Sequence, residues 1–377
     1  MNEVEFRRLI SGERRGFAAC LQRAGLSILS LGYGLAISLW DLAYRLGFQR
    51  VDSATVPVIS LGNLTTGGTG KTPLAAEIAR RLRDRHWERN GERPHGGAES
   101  QPVSNSVRVC FLSRGYRAGD QAINDEALVL EQLCPDVPHL QHRRRIEAAR
   151  VAVEELESQL LVLDDGYQHR QLTRDLNLLL IDATNPWGYG HLLPRGLLRE
   201  PKRALCRADL ILITRCDQVA EPELSRLVAE LQQRAPGRPI VRTRFQTATL
   251  NNWSGQSLPL AECRGQRFLT VCAIGTPEAF RQQLIGRGIE IIGSREFADH
   301  HRYSRSDVEQ LREWAAGQDV AGILTTRKDL VKLQLDELGG RKLWSVDQQV
   351  EFLSGEAELD AALQRVMRQV PAEFDGP

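Results

Sequence analysis

The fold of this chain follows from one stretch, VPVISLGNLTTGGTGKTP, at residues 56–73. The apolar run at 56–61 predicts a buried strand, the glycines after it predict a tight turn, and residues 74–83 predict a helix. Glycines in such a turn let backbone N–H groups face phosphate oxygens, and the helix directs its positive dipole end at the same place. The stretch therefore predicts a phosphate-binding loop for a nucleotide.

Two side chains in this loop have predicted roles. We expect Lys71 to reach the β- and γ-phosphates and the Thr72 hydroxyl to hold Mg²⁺. The strict pattern G-x-x-x-x-G-K-[ST] fails at one position, because Thr65 stands where the first glycine is usual. The strand before the loop and the helix after it supply the context that the motif requires.

The composition predicts a cytosolic globular protein. The 377 residues are 42% hydrophobic and 26% charged, which is ordinary for a folded chain long enough for two domains. Lysine and arginine number 49 against 48 acidic residues, so the net charge of +1 gives no basic field for nucleic acid. The seven cysteines form no C-x-x-C pair, which favours reduced thiols over disulfides or a zinc site.

The N-terminal region carries an uncharged apolar run, AGLSILSLGYGLAISLW, at residues 24–40, with five arginines before it. The run is shorter than the about 20 residues of a spanning helix, and a helical pattern continues where a signal peptide would be cleaved. We expect an amphipathic helix in the headgroup region of an anionic leaflet; a core helix is the alternative. The face expected to enter the acyl chains carries Leu26, Leu29, Tyr33, Ile37 and Trp40.

Further apolar runs predict buried strands whose carboxyl ends carry polar residues. The run at 160–163 is followed by Asp164, Asp165 and Gly166, and we expect the two acids to handle Mg²⁺, with an Asp-Gly turn as the alternative. In an open parallel sheet this edge is where ligands bind. Residues 185–201, broken by proline and glycine, are a candidate substrate lid at the same edge.

The alternation of strands and helices predicts a doubly wound, mostly parallel α/β sheet of the P-loop NTPase type, with a second, smaller α/β lobe. The expected regions are an N-terminal amphipathic helix at 1–50, a P-loop kinase core at 51–237 and a C-terminal lobe at 238–377. Other strands are predicted at 107–112, 176–182, 208–214, 240–245, 268–274, 290–293, 320–325 and 342–346, and helices at 125–133, 143–156, 277–285 and 306–316. Residues 86–106 are expected to be a surface insertion.

The order of five motifs, GNLTTGGTGKTP, SRGYR, DDGYQHRQL, LLREP and FADHHRY, resembles the tetraacyldisaccharide 4'-kinases of lipid A biosynthesis across nearly the whole chain. The resemblance implies transfer of phosphate from ATP, with Mg²⁺, to the 4'-hydroxyl of an acylated glucosamine disaccharide 1-phosphate, giving lipid IVA. It also implies a peripheral protein, expected to be a monomer, on the anionic cytoplasmic leaflet of the bacterial inner membrane. No nucleic-acid partner is expected.

The resemblance assigns residue roles by matching motif positions. Asp125 would accept the proton of the sugar hydroxyl, partnered by His300 or the adjacent His301, with Lys71 as the third catalytic residue. The ATP-binding residues would be Asn63, Thr65, Thr66, Gly67, Gly68, Thr69, Gly70, Lys71 and Thr72. Residues near the phosphates or the sugar would be Tyr116, Arg145, His169, Arg199 and Glu200, and those on the metal side Thr72, Asp164, Asp165 and Glu126.

Two other classes share the phosphate loop. A regulatory or metal-insertion GTPase is suggested by Thr214-Arg215-Cys216-Asp217, which stands at a strand end like the guanine-reading N/T-K-x-D motif. The lysine of that motif is missing, and an arginine does not reproduce its packing over the base. A membrane-associated assembly ATPase would need no sugar-facing loop such as residues 185–201. Measuring which nucleotide raises the melting temperature distinguishes a GTPase from the kinase. Assaying phosphate transfer to a lipid acceptor distinguishes an assembly ATPase from the kinase.

Overall fold

The apolar runs of the sequence form strands in the computed structural model, which describes residues 3–84, 107–114, 125–275, 277–298 and 301–371. The strands are β1 (Val58–Asn63), β2 (Val109–Ser113), β3 (His139–Gln141), β4 (Leu160–Leu163), β5 (Leu176–Asp182), β6 (Leu210–Thr214), β7 (Ile240–Asn251), β8 (Ser257–Pro259), β9 (Arg267–Cys272), β10 (Glu290–Glu296), β11 (Gly322–Thr326), β12 (Glu337–Leu338) and β13 (Arg341–Ser354). The helices are α1 (Glu3–Ser11), α2 (Phe17–Arg45), α3 (Lys71–Asp84), α4 (Asp125–Leu133), α5 (Arg145–Glu154), α6 (Glu221–Arg234), α7 (Pro277–Ile285), α8 (Arg305–Ala316), α9 (Arg327–Leu333) and α10 (Glu356–Met367). The chain divides into unit 1, residues 1–115, 136–244 and 351–377, and unit 2, residues 116–135 and 245–350.

Unit 1 is built on parallel strands in the order β7-β6-β5-β1-β4-β2-β3. Strand β1 lies between β4 and β5, with Ser60 opposite Leu163 and Asn63 opposite Leu180. Strands β1, β2, β4 and β6 are buried along their whole length. Strands covered on both faces read as continuous apolar runs. The carboxyl ends of β1 and β4 therefore meet at one edge of this sheet.

The helices of unit 1 bury one apolar stripe each. Helix α3 buries Leu74, Ile78 and Leu82, which are spaced by about one turn. Helix α6 repeats the pattern with Leu224 and Leu231 buried. Such stripes pack helices against a sheet, and together with the parallel strands they confirm the α/β class predicted from the sequence.

Unit 2 contains parallel strands in the order β10-β9-β11-β13, with β8 antiparallel to β7 and β12 antiparallel to β13. Its core includes Phe268, Leu324 and Trp344. Helix α8 begins with a capping box in which Ser304 and Asp307 exchange side-chain and backbone hydrogen bonds. The chain passes between the units within β7 and again within β13.

The N-terminal apolar run lies in α2, which is longer than the residues 24–40 expected from the sequence. The helix covers 29 residues, from Phe17 to Arg45, and is long and apolar enough to cross a membrane by length and composition. The expectation that the run is too short to span is therefore wrong for the helix as a whole. One side of α2 packs against the rest of unit 1, where the Tyr33 hydroxyl donates to the Arg199 carbonyl at 2.9 Å.

The two faces of α2 differ in exposure. Tyr33, Ile37 and Trp40 are half-buried on the side toward unit 1. The exposed large apolar residues of α2 are Phe17, Leu21, Ile28, Leu29, Leu31, Leu35, Leu39 and Leu42. The lipid-facing side expected from the sequence is therefore wrong except for Leu29. Apolar residues occur all round this helix, so periodicity alone could not choose the side.

The predicted elements agree with the structure where apolar runs are short and sharply bounded. Strands 160–163 and 176–182 and helices 125–133 and 277–285 have the predicted bounds. The strands predicted at 240–245 and 342–346 are too short, since β7 and β13 continue to Asn251 and Ser354. Much of β7 alternates buried with half-buried side chains, and its polar residues resemble turns in sequence. Helices α6, α9 and α10 were not predicted.

Candidate active site

The phosphate loop joins the end of β1 to the start of α3. Strand β1 ends at Asn63 and α3 begins at Lys71, so Lys71 stands at the helix N-terminus. Gly67 and Gly70 have φ of 118° and 84°, which a residue with a side chain rarely adopts. The loop thus has the backbone shape that the glycine-rich sequence predicted. A helix N-terminus at this point favours an anion.

The Lys71 ammonium is buried and held by polar partners. Its side chain is 8% exposed, and Nζ lies 3.5 Å from Asp165 Oδ1. Nζ also donates to Asn63 Oδ1 at 3.4 Å, while Asn63 Nδ2 donates to the Thr69 hydroxyl at 3.0 Å. Asn63 therefore links the lysine to the loop. Burying an unpaired charge costs free energy. The contacts with Asn63 and Asp165 therefore offset the burial of the Lys71 ammonium.

The acidic pair follows β4 directly and its two members differ. Asp165 has a left-handed backbone (φ 49°), and its carboxylate accepts from Arg199 Nη1 at 2.9 and 2.7 Å. Burial raises the pKa of Asp165, but Lys71, Arg199 and Arg145 together outweigh burial, so the net pKa lies below the ordinary value. Asp164 is buried, and its Oδ1 accepts from the Asp165 N–H at 3.0 Å. Asp165 is therefore an ionised carboxylate between cations.

Arg145 and His169 lie beside this pair. Arg145 is the first residue of α5 and is buried, and its Nη2 donates to the Asp165 carbonyl at 3.3 Å. Burial, with Arg145, Arg174 and Arg114, lowers the pKa of His169 to about 4. Its Nε2 is buried and has no hydrogen-bond partner among the described residues. His169 is thus a neutral imidazole at pH 7.

The candidate lid segment, residues 185–201, is hydrogen-bonded to the phosphate loop at its end. The N–H of Thr66 donates to the Leu197 carbonyl at 2.8 Å, and the Arg199 N–H donates to the Leu64 carbonyl at 2.7 Å. Thr65 forms an isolated β-bridge with Leu198. These contacts position Arg199 beside Asp165, which lies 34 residues earlier in the chain.

Glu200 is directed away from this cluster. It is 4% exposed, and its Oε2 pairs with Arg207 Nη1 at 2.7 Å. It lines a pocket of about 210 Å³ with Arg170, Arg203 and Arg207 and with residues of α2. The structure therefore brings Arg199 and Glu200, which are adjacent in sequence, to different sites.

The oxygen donors suited to Mg²⁺ are Thr72, Asp164 and Asp165. Thr72 is half-buried in the first turn of α3, and both acids follow the neighbouring strand β4. Hydroxyl and carboxylate oxygens are hard ligands, which fit this ion. No group of three or more His, Cys, Asp or Glu residues suited to a metal occurs in the described part of the chain. The donor set therefore fits an ion that completes its coordination with phosphate oxygens and water.

Several predicted site residues lie outside the part of the chain that the structure describes. Tyr116 and His300 lie outside the described residues, and the side chains of Asp125 and Glu126 lie outside them as well, although Asp125 begins α4. His301 is described: its Nε2 lies 3.1 Å from Asp307 Oδ2 and its ring stacks on Phe297 at 4.8 Å. His301 is therefore held by the capping residue of α8.

Sequence reasoning gave no role to two further polar residues at the site. Gln168 donates from Nε2 to the Asn63 carbonyl at 2.8 Å and accepts from Arg199 at 3.4 Å. Arg215 donates to the Gly68 carbonyl at 2.7 Å. Gln168 lies within a motif quoted from the sequence, whereas no local pattern links Arg215 to the loop.

Known proteins resemble this chain over most of its length. A family model described as Tetraacyldisaccharide-1-P 4'-kinase matches residues 22–368. A tetraacyldisaccharide 4'-kinase of Geobacter sulfurreducens is 40% identical over 333 residues, 87% of this chain and 89% of that protein. One of Anaeromyxobacter sp. (strain K) is 35% identical over 384 residues, covering 97% and 96%.

A solved structure extends the similarity to three dimensions. A crystal structure of the "apo" form of LpxK from Aquifex aeolicus in complex with ATP is 27% identical, with a TM-score of 0.72 over 92% of this chain and 99% of that chain. The family model covers most of the chain, and the relatives match over most of their length. The chain therefore belongs to the tetraacyldisaccharide-1-P 4'-kinase family.

Proposed function

We propose that the chain transfers the γ-phosphate of ATP to the 4'-hydroxyl of a tetraacyldisaccharide 1-phosphate, giving lipid IVA. The membership in a kinase family supports the reaction class. The observation that carries the proposal is the cluster of Lys71, Asp165 and Arg199 at the phosphate loop, with two cations on one half-buried carboxylate. A site with this charge pattern suits a polyphosphate and a metal ion.

In this proposal Lys71 supplies positive charge to the transferring phosphoryl group. Phosphoryl transfer needs positioning and charge stabilisation more than covalent help from the protein. The contacts of Lys71 with Asn63 and Asp165 hold its ammonium beside the loop, so little reorganisation is needed when phosphate binds. The loop residues 65–70 and the N-terminus of α3 would bind the phosphate oxygens with backbone N–H groups.

We assign Mg²⁺ to Thr72, Asp164 and Asp165. When bound, the ion would neutralise charge on the β- and γ-phosphates. Asp165 keeps its negative charge because Lys71 and Arg199 lower its pKa. Arg199 and Lys71 therefore also hold Asp165 in the ionised form that metal binding requires.

Asp125 is the proposed base. In phosphoryl transfer of this kind a carboxylate accepts the proton of the acceptor hydroxyl while the oxygen attacks the γ-phosphorus. An imidazole beside it would strengthen its action, and His300 is the proposed partner. Both assignments rest on the family resemblance. The contact of His301 with Asp307 favours His300 over His301 for this role.

The remaining residues are proposed to bind the acceptor. Arg145 and Arg199 present guanidinium groups beside the acidic pair, and the neutral His169 has an imidazole nitrogen available as a hydrogen-bonding group. Tyr116 is assigned by resemblance alone. Glu200 would act from its separate pocket near α2, where it pairs with Arg207.

The exposed leucines of α2 support a location at the cytoplasmic face of the inner membrane. The acyl chains of the acceptor stay in the bilayer, so the kinase must work at its surface. An apolar helix face with arginines near it binds anionic leaflets. We propose a peripheral monomer in which residues 1–50 contact the membrane, residues 51–237 form the P-loop kinase core and residues 238–377 form the C-terminal lobe.

A transfer assay tests the proposal. The full-length protein is mixed with radiolabelled ATP, Mg²⁺ and vesicles that contain the disaccharide 1-phosphate, and the lipid product is separated and counted. Label on the lipid is expected with ATP and much less with GTP. Lys71→Ala should abolish most of the transfer. Arg242 is a part-exposed arginine paired with Glu221, and the control variant Arg242→Met should keep the activity. Hydrolysis of nucleotide without lipid labelling by the wild type would contradict the proposal.

A further inference from the structure

Two backbone carbonyl groups of the phosphate loop are held by the end of strand β6. Arg215 Nη2 donates to the Gly68 carbonyl at 2.7 Å, and the Thr214 hydroxyl donates to the Thr69 carbonyl at 3.0 Å. These pairs are 147 and 145 residues apart along the chain. The loop is therefore restrained from outside its own segment, by the residues that resembled a guanine-reading motif in sequence.

Arg215 is itself fixed in place. Its backbone is left-handed (φ 56°), and its Nη1 pairs with Asp182 Oδ2 at the end of β5. Asp182 Oδ1 accepts from the N–H and the hydroxyl of Thr184 at 3.0 and 2.7 Å. Both carboxylate oxygens of Asp182 are thus engaged. The planar guanidinium spans from this carboxylate to the loop, which a lysine could not do with two fixed donors.

The restraint determines where backbone N–H groups of the loop point. A peptide unit is planar, so its N–H is directed opposite to its C=O. Holding the Thr69 carbonyl toward Thr214 turns the Gly70 N–H to the other side of the loop. Gly67 and Gly70 are in positive-φ conformations, and glycine has wide backbone freedom without external restraint. Fixed carbonyls therefore preorganise the loop before phosphate binds.

We propose that Arg215, with Asp182 and Thr214, is a positioning residue for the nucleotide phosphates and does not read the base. The guanidinium bonds a loop carbonyl and a carboxylate, and it would have to give up both before it lay over a base. The inference rests on the proposed use of ATP and adds a determinant that no local motif reveals. It predicts that the affinity for any triphosphate, with or without a base, depends on Arg215.

Inorganic tripolyphosphate separates positioning from base reading, because it has the phosphates and no base. Full-length Arg215→Met and wild type are titrated with ATP and with tripolyphosphate, each with Mg²⁺, by calorimetry. Both dissociation constants are expected to rise by a similar factor, about tenfold or more. The KM for the lipid acceptor should stay within about twofold of the wild-type value. A rise for ATP alone would indicate base reading and overturn the proposal, as would no rise for either probe.

Matched variants separate a positioning role from a general loss of structure. Arg242→Met removes an arginine of β7 that pairs with Glu221 at 3.2 Å, and both dissociation constants should be unchanged. The dissociation constants of Arg215→Lys should lie between those of the wild type and Arg215→Met, because one ammonium cannot hold both partners. If Arg215→Met fails to fold, Asp182→Asn provides the same test with Arg215 retained. Weaker binding of both ATP and tripolyphosphate is expected for this variant.

Two results have distinct meanings. A variant with a lowered melting temperature and unchanged affinity for both probes would show that Arg215 is only structural, and it would overturn the inference. A wild-type protein that binds neither probe would contradict the proposed use of ATP itself.

Discussion

Replacing three exposed leucines of α2 tests whether this face contacts the membrane. Leu31, Leu35 and Leu39 are 75%, 62% and 58% exposed, so they contribute little to the packing of unit 1. Together they present about two full leucine side chains to solvent, and burying that much apolar surface is worth about 3–6 kcal/mol. Each factor of ten in affinity corresponds to about 1.4 kcal/mol. The triple change to glutamine should therefore weaken vesicle binding by about 100-fold or more.

The assay is co-sedimentation with vesicles of phosphatidylethanolamine and phosphatidylglycerol, combined with transfer kinetics. The triple variant should also raise the apparent KM for the lipid acceptor and leave the KM for ATP unchanged, because the phosphate loop is untouched. Tyr33→Phe is the matched control on the other face. It removes the hydroxyl that donates to the Arg199 carbonyl and should cost about 1 kcal/mol of folding stability without changing vesicle binding.

High salt distinguishes the contribution of the arginines before the apolar run from that of the leucines. Each arginine near an anionic surface adds about 1 kcal/mol, and this part is screened by salt. The loss of vesicle binding caused by the leucine changes should persist at high salt, because salt does not screen apolar contacts. A folded triple variant that sediments with vesicles like the wild type would refute the assignment of this face to the membrane.

The leucine variant is a sharper test than deletion of the N-terminal region. Asp41 pairs with Arg170 at 2.5 Å, and Arg203 donates to the Ser38 hydroxyl at 2.8 Å. Removing residues 1–45 would leave Arg170 and Arg203 without these partners and lower the melting temperature for reasons unrelated to lipid. Point changes on the exposed face avoid this effect.

Three further outcomes are expected. Lys71→Ala should lower kcat by about 100-fold or more, because it removes a charge aimed at the phosphoryl group, and a folded variant with wild-type kcat in the transfer assay would exclude this role. Asp125→Ala should lower kcat with near-normal ATP affinity, whereas Asp164→Ala should shift the Mg²⁺ dependence of the rate; weaker nucleotide binding with intact kcat in Asp125→Ala would place that acid at the metal. The pKa of His169 is about 4 against an ordinary 6.5, so only the unfolded chain takes up its proton between these values and stability falls as pH drops through this window. His169→Asn should remove on the order of 1 kcal/mol of that decline, allowing for partial exposure, in urea titrations at about pH 7 and about pH 5; a steeper decline in the variant would contradict the neutral imidazole.

Features that depend on residues adjacent in the chain could be predicted without the structure. The strand, glycine turn and helix of the phosphate loop follow one another in a single stretch, so their local geometry places Lys71 at the helix N-terminus. Buried parallel strands are continuous apolar runs, and for that reason β4 and β5 could be bounded to the residue. The family could likewise be inferred from the order of motifs.

Patterns with weaker local signals were missed. Helix α6 was not predicted, although Glu221 and Pro222 stand in its first turn and its leucines are spaced for one face. The polar residues of β7 resemble turns in sequence, although they alternate with apolar residues along a strand that continues from one unit into the other. Such segments are stabilised by the surfaces they pack on, which the sequence does not display.

Contacts between residues far apart in the chain could not be predicted before the chain was folded. Arg199 reaches Asp165, while Glu200 beside it reaches Arg207, because the end of the lid segment runs between two sites. Arg215 reaches the phosphate loop 147 residues away. These contacts depend on the order of strands in the sheet, which sets the strand ends that become neighbours. The exposed face of α2, which we propose contacts the membrane, is likewise the face that the rest of unit 1 does not cover.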